Sequence, residues 1–288
     1  MAEISAKVVK DLRERTGAGM MDCKRALADA SGDLEKASVL LRERGLAKAG
    51  KREGRATSEG LIAIALEGRA GGMVELGCET DFVARTDDFG GLAQSLARAV
   101  ARDARLVGVA ELEGAEIDGV KATERIKGAI AKLGENVVLK RVGRLSVASG
   151  VVGGYVHAGG KLGVLVALKS AASGPQLEAL AKDVSMHVAA ADPSPVAVTR
   201  EGVAQELLAR EREIYRKQAL QEGKPEKVVD RIVEGKLSKF LSDVCLVDQA
   251  YVKDPDKTVG ELLAEAGGAT VEAFLRFRLG QTEEASGA

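Results

Sequence analysis

The sequence predicts an α+β protein: an N-terminal three-helix head, a core of two related α+β subdomains with antiparallel strands, and an inserted antiparallel helical hairpin. Three observations predict it. Apolar residues recur at helical spacing through residues 1–45. Two short strands about a glycine turn, followed by an amphipathic helix, occur twice, from Leu61 and again from Val151. A pair of long amphipathic segments within 198–241 interrupts the second copy and has no counterpart in the first.

The head begins with Ile4, Val8 and Leu12 on one helical face, broken by Thr16-Gly17-Ala18-Gly19. Cys23, Ala26, Leu27 and Ala30 make a second helix, and Leu34, Ala37 and Leu41 a third, with Asp33 as its N-cap. The head is assigned to 1–46, and its small core predicts that it works with a partner. The charged, glycine-containing stretch Lys48 to Arg55 lacks an apolar face, so 47–57 reads as a linker. The first core subdomain, 58–147, has strands over Leu61–Leu66 and Met73–Cys78, helices near 91–102 and 117–132, and a strand near 137–146. The second starts in 148–197 with strands Val151–Val156 and Leu162–Leu168 and a helix near 176–190. A helix from about 198 to 221, a turn at Gly223-Lys224-Pro225 and a second helix through Leu237 form the insertion, 198–241. The second subdomain resumes over 242–288, with a helix near 258–266 opened by the capping box Thr258-Val259-Gly260-Glu261 and a strand near 271–279. The polar tail from Gln281 to Ala288 is expected to fray.

Composition narrows the function. Lysine plus arginine number 42 and aspartate plus glutamate 43, a net charge of −1, without the basic surplus that phosphate neutralisation requires. Aromatics make up 3% and there is no Trp, which leaves few base-stacking platforms. Neither nucleic acid nor membrane is expected as a partner. The longest apolar stretch, 151–168, is broken by Lys161 and glycines, and no basic–apolar–small secretory start is present, so a cytoplasmic location is expected. Three scattered cysteines and two histidines supply neither a disulfide framework nor a zinc site, and no cofactor or metal centre is expected.

The densest polar cluster is Cys78-Glu79-Thr80-Asp81-Phe82, just past the first hairpin. Cys78 and Asp81 with distant His157 suggest a nucleophile and helpers, but Cys78 continues a strand face where a buried inert thiol is the default. No G-x-x-x-x-G-K-[ST] phosphate loop occurs, and Glu75, Glu79, Asp81, Asp87 and Asp88 fit no calcium loop and read as solvated surface. Phe82, one of five Phe, sits in a turn between Asp81 and Val83, where it either tucks back into the core or stands out as an aromatic anchor for a partner. His157 sits beside the second hairpin turn, ordinarily a structural or merely exposed position.

Longer motifs go further. Leu12 to Leu27, read LRERTGAGMMDCKRAL, closely resembles the N-terminal signature of bacterial elongation factor Ts, and Glu75 to Arg85, read ELGCETDFVAR, resembles that family's second signature. Lys132-Leu133-Gly134-Glu135-Asn136, the stretches Tyr155 to His157 and Gly163 to Val166, and Lys257 to Leu263 also look like the family. The family usually carries Asn where this chain has Gly77. The resemblance implies a ubiquitin-associated-like head, a two-subdomain core and a coiled-coil arm, the last a candidate surface for dimeric assembly. It implies a guanine-nucleotide exchange factor, not an enzyme, that binds elongation factor Tu in its GDP-bound and nucleotide-free forms, disturbs the Mg²⁺ site and releases GDP. By the same resemblance Thr80, Asp81, Phe82 and Val83 intrude near that Mg²⁺ site, Leu133, Gly134 and His157 make further core contacts, and Arg13, Met20 and Met21 contact the GTPase through the head. The rival class is an adaptor that binds a protein partner through the helical head without altering nucleotide release.

Overall fold

The computed structural model describes residues 4–50, 52, 54–281 and 285–287, without the side chains of 46–49 and 285–287. Two compact units divide the chain. One takes residues 1–63 and 74–142, the other 64–73 and 143–288.

In the first unit, α1 (Ala6–Thr16) starts at Ser5, whose hydroxyl accepts the Val8 N–H at 3.4 Å, and stops at Gly17 with φ +67°. It is followed by α2 (Met20–Asp29) and α3 (Leu34–Gly50). Asp33 caps α3 as expected, its carboxylate accepting the N–H groups of Glu35 and Lys36 at 3.0 Å. Leu12, Cys23, Ala26, Leu27 and Ala37 are wholly buried between the three helices. The linker expected from residue 47 starts later, because α3 runs on to Gly50; of the remainder, Lys51 and Glu53 lie outside the described residues.

A hairpin of β1 (Glu59–Glu67) and β2 (Ala70–Cys78), whose tip at 64–73 is counted with the second unit, then leads through α4 (Asp81–Ala84) to α5 (Asp87–Arg102). The α5 helix opens four residues earlier than its apolar pattern, because Thr86 caps it by accepting the Phe89 N–H at 3.3 Å. Three elements went unread in the sequence: α6 (Val109–Gly114), and β3 (Glu116–Ile117) with β4 (Val120–Lys121). They displace the start of the helix expected at 117, so α7 covers Ala122–Leu133. The β3–β4 turn is Asp118-Gly119, both at positive φ, the chemistry of a tight two-residue hairpin. The strand β5 (Val137–Ser146) completes a three-stranded sheet in the order β1-β2-β5. Central β2 is buried along its whole length.

Head and core share this unit because α3 packs on α7. Gly45 makes the approach possible, since a Cβ there would stand 2.7 Å from the Ala131 methyl. Arg52 adds a guanidinium bond to the Ile130 carbonyl at 3.1 Å.

The second unit is built on β6 (Gly150–Val156) and β7 (Leu162–Lys169), followed by α8 (Pro175–Ala190), which takes Pro175 in its first turn. The arm begins later than its apolar pattern suggests, with a 3₁₀ turn at Arg200–Gly202 before α9 (Gln205–Gln221) and α10 (Glu226–Val244). Ala219, Val229, Val233 and Leu237 form its own narrow seam, while Ile214 and Leu220 face water. A small ribbon of β8 (Ala250–Tyr251) and β9 (Asp254–Thr258), unread in the sequence, precedes α11 (Val259–Glu265). The Thr258–Glu261 capping box opens α11 as expected, each side chain accepting the other's backbone N–H. The sheet closes with β10 (Thr270–Arg278) and β11 (Ala285–Gly287) in the antiparallel order β11-β10-β7-β6. The tail expected to fray therefore contributes an edge strand; Thr282, Glu283, Glu284 and Ala288 lie outside the described residues.

Beneath this sheet sits His187 on α8, 1% exposed. Its Nδ1 accepts the Val252 N–H at 3.3 Å, so Nε2–H donates to Gln249 Oε1 at 3.0 Å. Burial holds its pKa below the ordinary histidine value, outweighing the Gln249 bond. As pH falls below about 6.5 the unfolded chain takes up a proton that the folded ring refuses, so stability is lost at up to about 1.4 kcal/mol per pH unit. Thermal melts followed by circular dichroism at pH 7.5 and 5.5 should show a smaller acid loss for His187→Gln than for the parent. Equal losses would place the acid sensitivity at other groups.

Candidate functional site

The cluster after β2 is shaped by its buried end. Cys78 is fully buried and donates its S–H to the Thr80 carbonyl at 3.1 Å. Burial, reinforced by the Glu135 carboxylate, pushes its thiol up to about 11, so sulfur carries no nucleophilic charge at neutral pH. Thr80 caps α4, its hydroxyl accepting the Val83 N–H at 3.4 Å. Val83 turns inward and is 9% exposed, whereas Phe82 is 81% exposed. Asp81 is half-buried and pairs with Arg85 one turn on, at 3.0 Å.

Of the two options open for Phe82, the structure takes the outward one. An exposed aromatic ring held on a capped turn has surrendered about 2 kcal/mol or more of burial that a core position would supply. Contact with a partner is the common return on such an arrangement.

The acidic run is less solvated than its sequence suggests. Glu75 is 1% exposed on β2 and forms a double contact with Arg141 of β5, 2.7 Å to Nε and 2.6 Å to Nη2. Glu79 Oε1 accepts the Asn136 N–H at 2.7 Å, and Asp88 pairs with Lys132 at 2.7 Å. These carboxylates answer cations and backbone donors. Among the described residues no three His, Cys, Asp or Glu side chains are grouped to hold a metal ion.

Other expected residues fall into place around this turn or apart from it. Leu133 ends α7, Gly134 reverses the chain at φ +83°, and both are half-buried. The next residue, Glu135, reaches the Thr80 hydroxyl at 2.6 Å, so the 133–135 loop and the 80–83 turn form one surface. In the head, Arg13 is exposed on α1, and Met20 and Met21 open α2 with 52% and 63% of their surface in water. His157 belongs to the second unit, exposed beside the β6–β7 turn, with Nδ1 3.0 Å from the Tyr155 hydroxyl. At Gly77 the space a side chain would use is filled by Lys140, whose Cε would lie 2.5 Å from a Cβ and whose ammonium bonds the Thr57 carbonyl. Glu135 is the functional candidate that residue-by-residue reading passed over. Its motif, Lys132 to Asn136, resembles the family, but its bonding role is hidden because its partners lie 55 and 56 residues away.

Proteins similar in sequence to this chain are named as translation elongation factors. A family model described as elongation factor TS matches residues 79–281. Proteins named elongation factor Ts from Clostridium perfringens (strain SM101) and Clostridium botulinum (strain Alaska E43) are 46% and 47% identical to this chain, each match covering 96% of it and 93% of the relative. The protein of that name from Clostridium acetobutylicum is 44% identical over the same shares. The chain belongs to the elongation factor Ts family. No helix among the described residues is long and apolar enough to cross a membrane.

Proposed function

We propose that the chain is a cytoplasmic guanine-nucleotide exchange factor: it binds elongation factor Tu with GDP bound, disturbs the GTPase's Mg²⁺ site, and releases GDP so that GTP can enter. Family membership supports the partner, and the observation that carries the mechanism is the 81% exposed ring of Phe82 on its capped turn. No covalent bond is made or broken. A factor that prefers the nucleotide-free GTPase must by linkage weaken GDP binding by the same factor. Each tenfold takes about 1.4 kcal/mol of coupling, within reach of a few buried anchors at about 2 kcal/mol each. Mg²⁺ provides part of the electrostatic hold on GDP, so a bulky ring with Asp81 beside it loosens the nucleotide without touching it. Thr80 and Val83 belong to the same intruding segment. Leu133, Gly134 and His157 extend the contact, while Arg13, Met20 and Met21 supply binding through the head.

Release of fluorescent GDP from elongation factor Tu, with and without this protein, tests the proposal. Acceleration at sub-stoichiometric concentration supports it. Binding with no change in release would make the chain an adaptor. Within the same assay, Met20→Ala combined with Met21→Ala should raise the half-saturating concentration about tenfold and leave the maximal release rate unchanged, because unbranched exposed methionines serve docking. A fall in the maximal rate instead would give the head a part in loosening the nucleotide.

A further inference from the structure

The turn that presents Phe82 has little to hold it by itself. Helix α4 has four residues, too few for a helix to persist alone, and the cap bond from Val83 is long at 3.4 Å. What fixes the turn comes from a loop far away in sequence and adjacent in space. Glu135 Oε2 accepts the N–H groups of Glu79 at 3.1 Å and Thr80 at 2.9 Å, and Oε1 accepts the Thr80 hydroxyl at 2.6 Å. In return Glu79 Oε1 accepts the Asn136 N–H at 2.7 Å, and the Asn136 side-chain amide donates to the Arg55 carbonyl at 2.9 Å. Two adjacent loops thus hold each other's backbone through a reciprocal pair of carboxylates.

Only a carboxylate suits the Glu135 position fully. Three donors converge there, and an ionised carboxyl accepts on both oxygens with none to donate. By accepting the Thr80 hydroxyl's hydrogen bond it also aims an oxygen lone pair at the Val83 N–H, setting the first turn of α4. The base of the clasp is firm. Gly134 ends α7 with its N–H on the Ile130 carbonyl at 3.0 Å, and Lys132 ties the same helix to Asp88 at the start of α5, beyond α4.

We infer that Glu135 is a positioning residue for nucleotide release: its carboxylate fixes the direction in which Phe82 leaves the fold, so that the ring meets the GTPase already oriented. The inference rests on the exchange-factor proposal. Pre-ordering the ring removes an entropic cost that would otherwise fall on the release step, so the clasp acts on the maximal rate more than on encounter.

Two full-length variants test it. Glu135→Leu keeps bulk and offers no acceptor. Glu135→Gln keeps one acceptor oxygen for the two N–H groups and lets the Thr80 hydroxyl reverse to accept from the amide. In the free protein, hydrogen exchange of the peptide covering 79–84 should speed up at least tenfold in Glu135→Leu and change less than threefold in Glu135→Gln. With elongation factor Tu, the maximal GDP-release rate should fall about tenfold in the leucine variant at a half-saturating concentration within threefold of the parent. The glutamine variant should keep at least a third of the parent rate. If the leucine variant does not fold, Glu135→Ser, too short to reach the same donors, carries the same expectations. A leucine or serine variant as protected or as active as the parent, or a glutamine variant as impaired as they are, overturns the inference alone. A parent chain that fails to accelerate release overturns the exchange-factor proposal and this inference with it.

Discussion

Phe82→Ala is expected to melt within about 2 °C of the parent, since exposed substitutions stay within about 0.5 kcal/mol, and to lose most of its GDP-release activity. The ring is 81% exposed, so truncating it opens no cavity in the free protein. If the ring becomes buried against the GTPase, its loss should cost about 2 kcal/mol or more, roughly thirtyfold in release at low concentration. Asp81→Asn keeps the volume and removes the charge that pairs with Arg85, and it should be the milder change, because moving helices apart around a metal needs bulk. Melting by circular dichroism beside release kinetics separates the outcomes. A fall of 6 °C or more for Phe82→Ala, with release per folded molecule unchanged, would return the ring to a structural role.

The largest stability loss is expected at Glu75. Its side chain is 2% exposed and that of Arg141 12%, so neither charge has ready access to water if the other is removed. Glu75→Ala should therefore cost about 3–5 kcal/mol, read as a shift of the urea midpoint. Replacing both partners, as in Glu75→Met with Arg141→Leu, should recover most of that loss, because the desolvation cost disappears with the charges. A cost under about 1 kcal/mol for Glu75→Ala would mean that water reaches the guanidinium. A double variant no better than the single would place the stabilisation in packing and in further bonds around the pair.

Much of this molecule is written locally. The head helices follow from apolar spacing, from Ser5 and Asp33 as caps and from Gly17 as a stop, all acting within four residues. The hairpins around Gly68 and Gly159 and the Thr258–Glu261 box are equally short-range. The ribbon at Asp118-Gly119 carries the right turn chemistry, yet two-residue strands give alternation nothing to act on. The continuation of α3 to Gly50 falls where the sequence from Lys48 turns charged and glycine-containing, and Gly45 lets the helix approach Ala131. Glu75 looked like one more surface acid until β5 laid Arg141 beside it, 66 residues on.

For the site, the sequence by itself determined which residues stand together from Glu75 to Arg85, and through their likeness to a family it determined the kind of protein. Tertiary structure decided the rest: that Phe82 points out and Val83 in, that Cys78 is sealed and protonated, and that Glu135 holds the turn from the neighbouring loop. A four-residue helix spans barely one turn, so its apolar spacing selects no face. The direction of its ring is left to a carboxylate 55 residues away, which the chain meets only once it has folded.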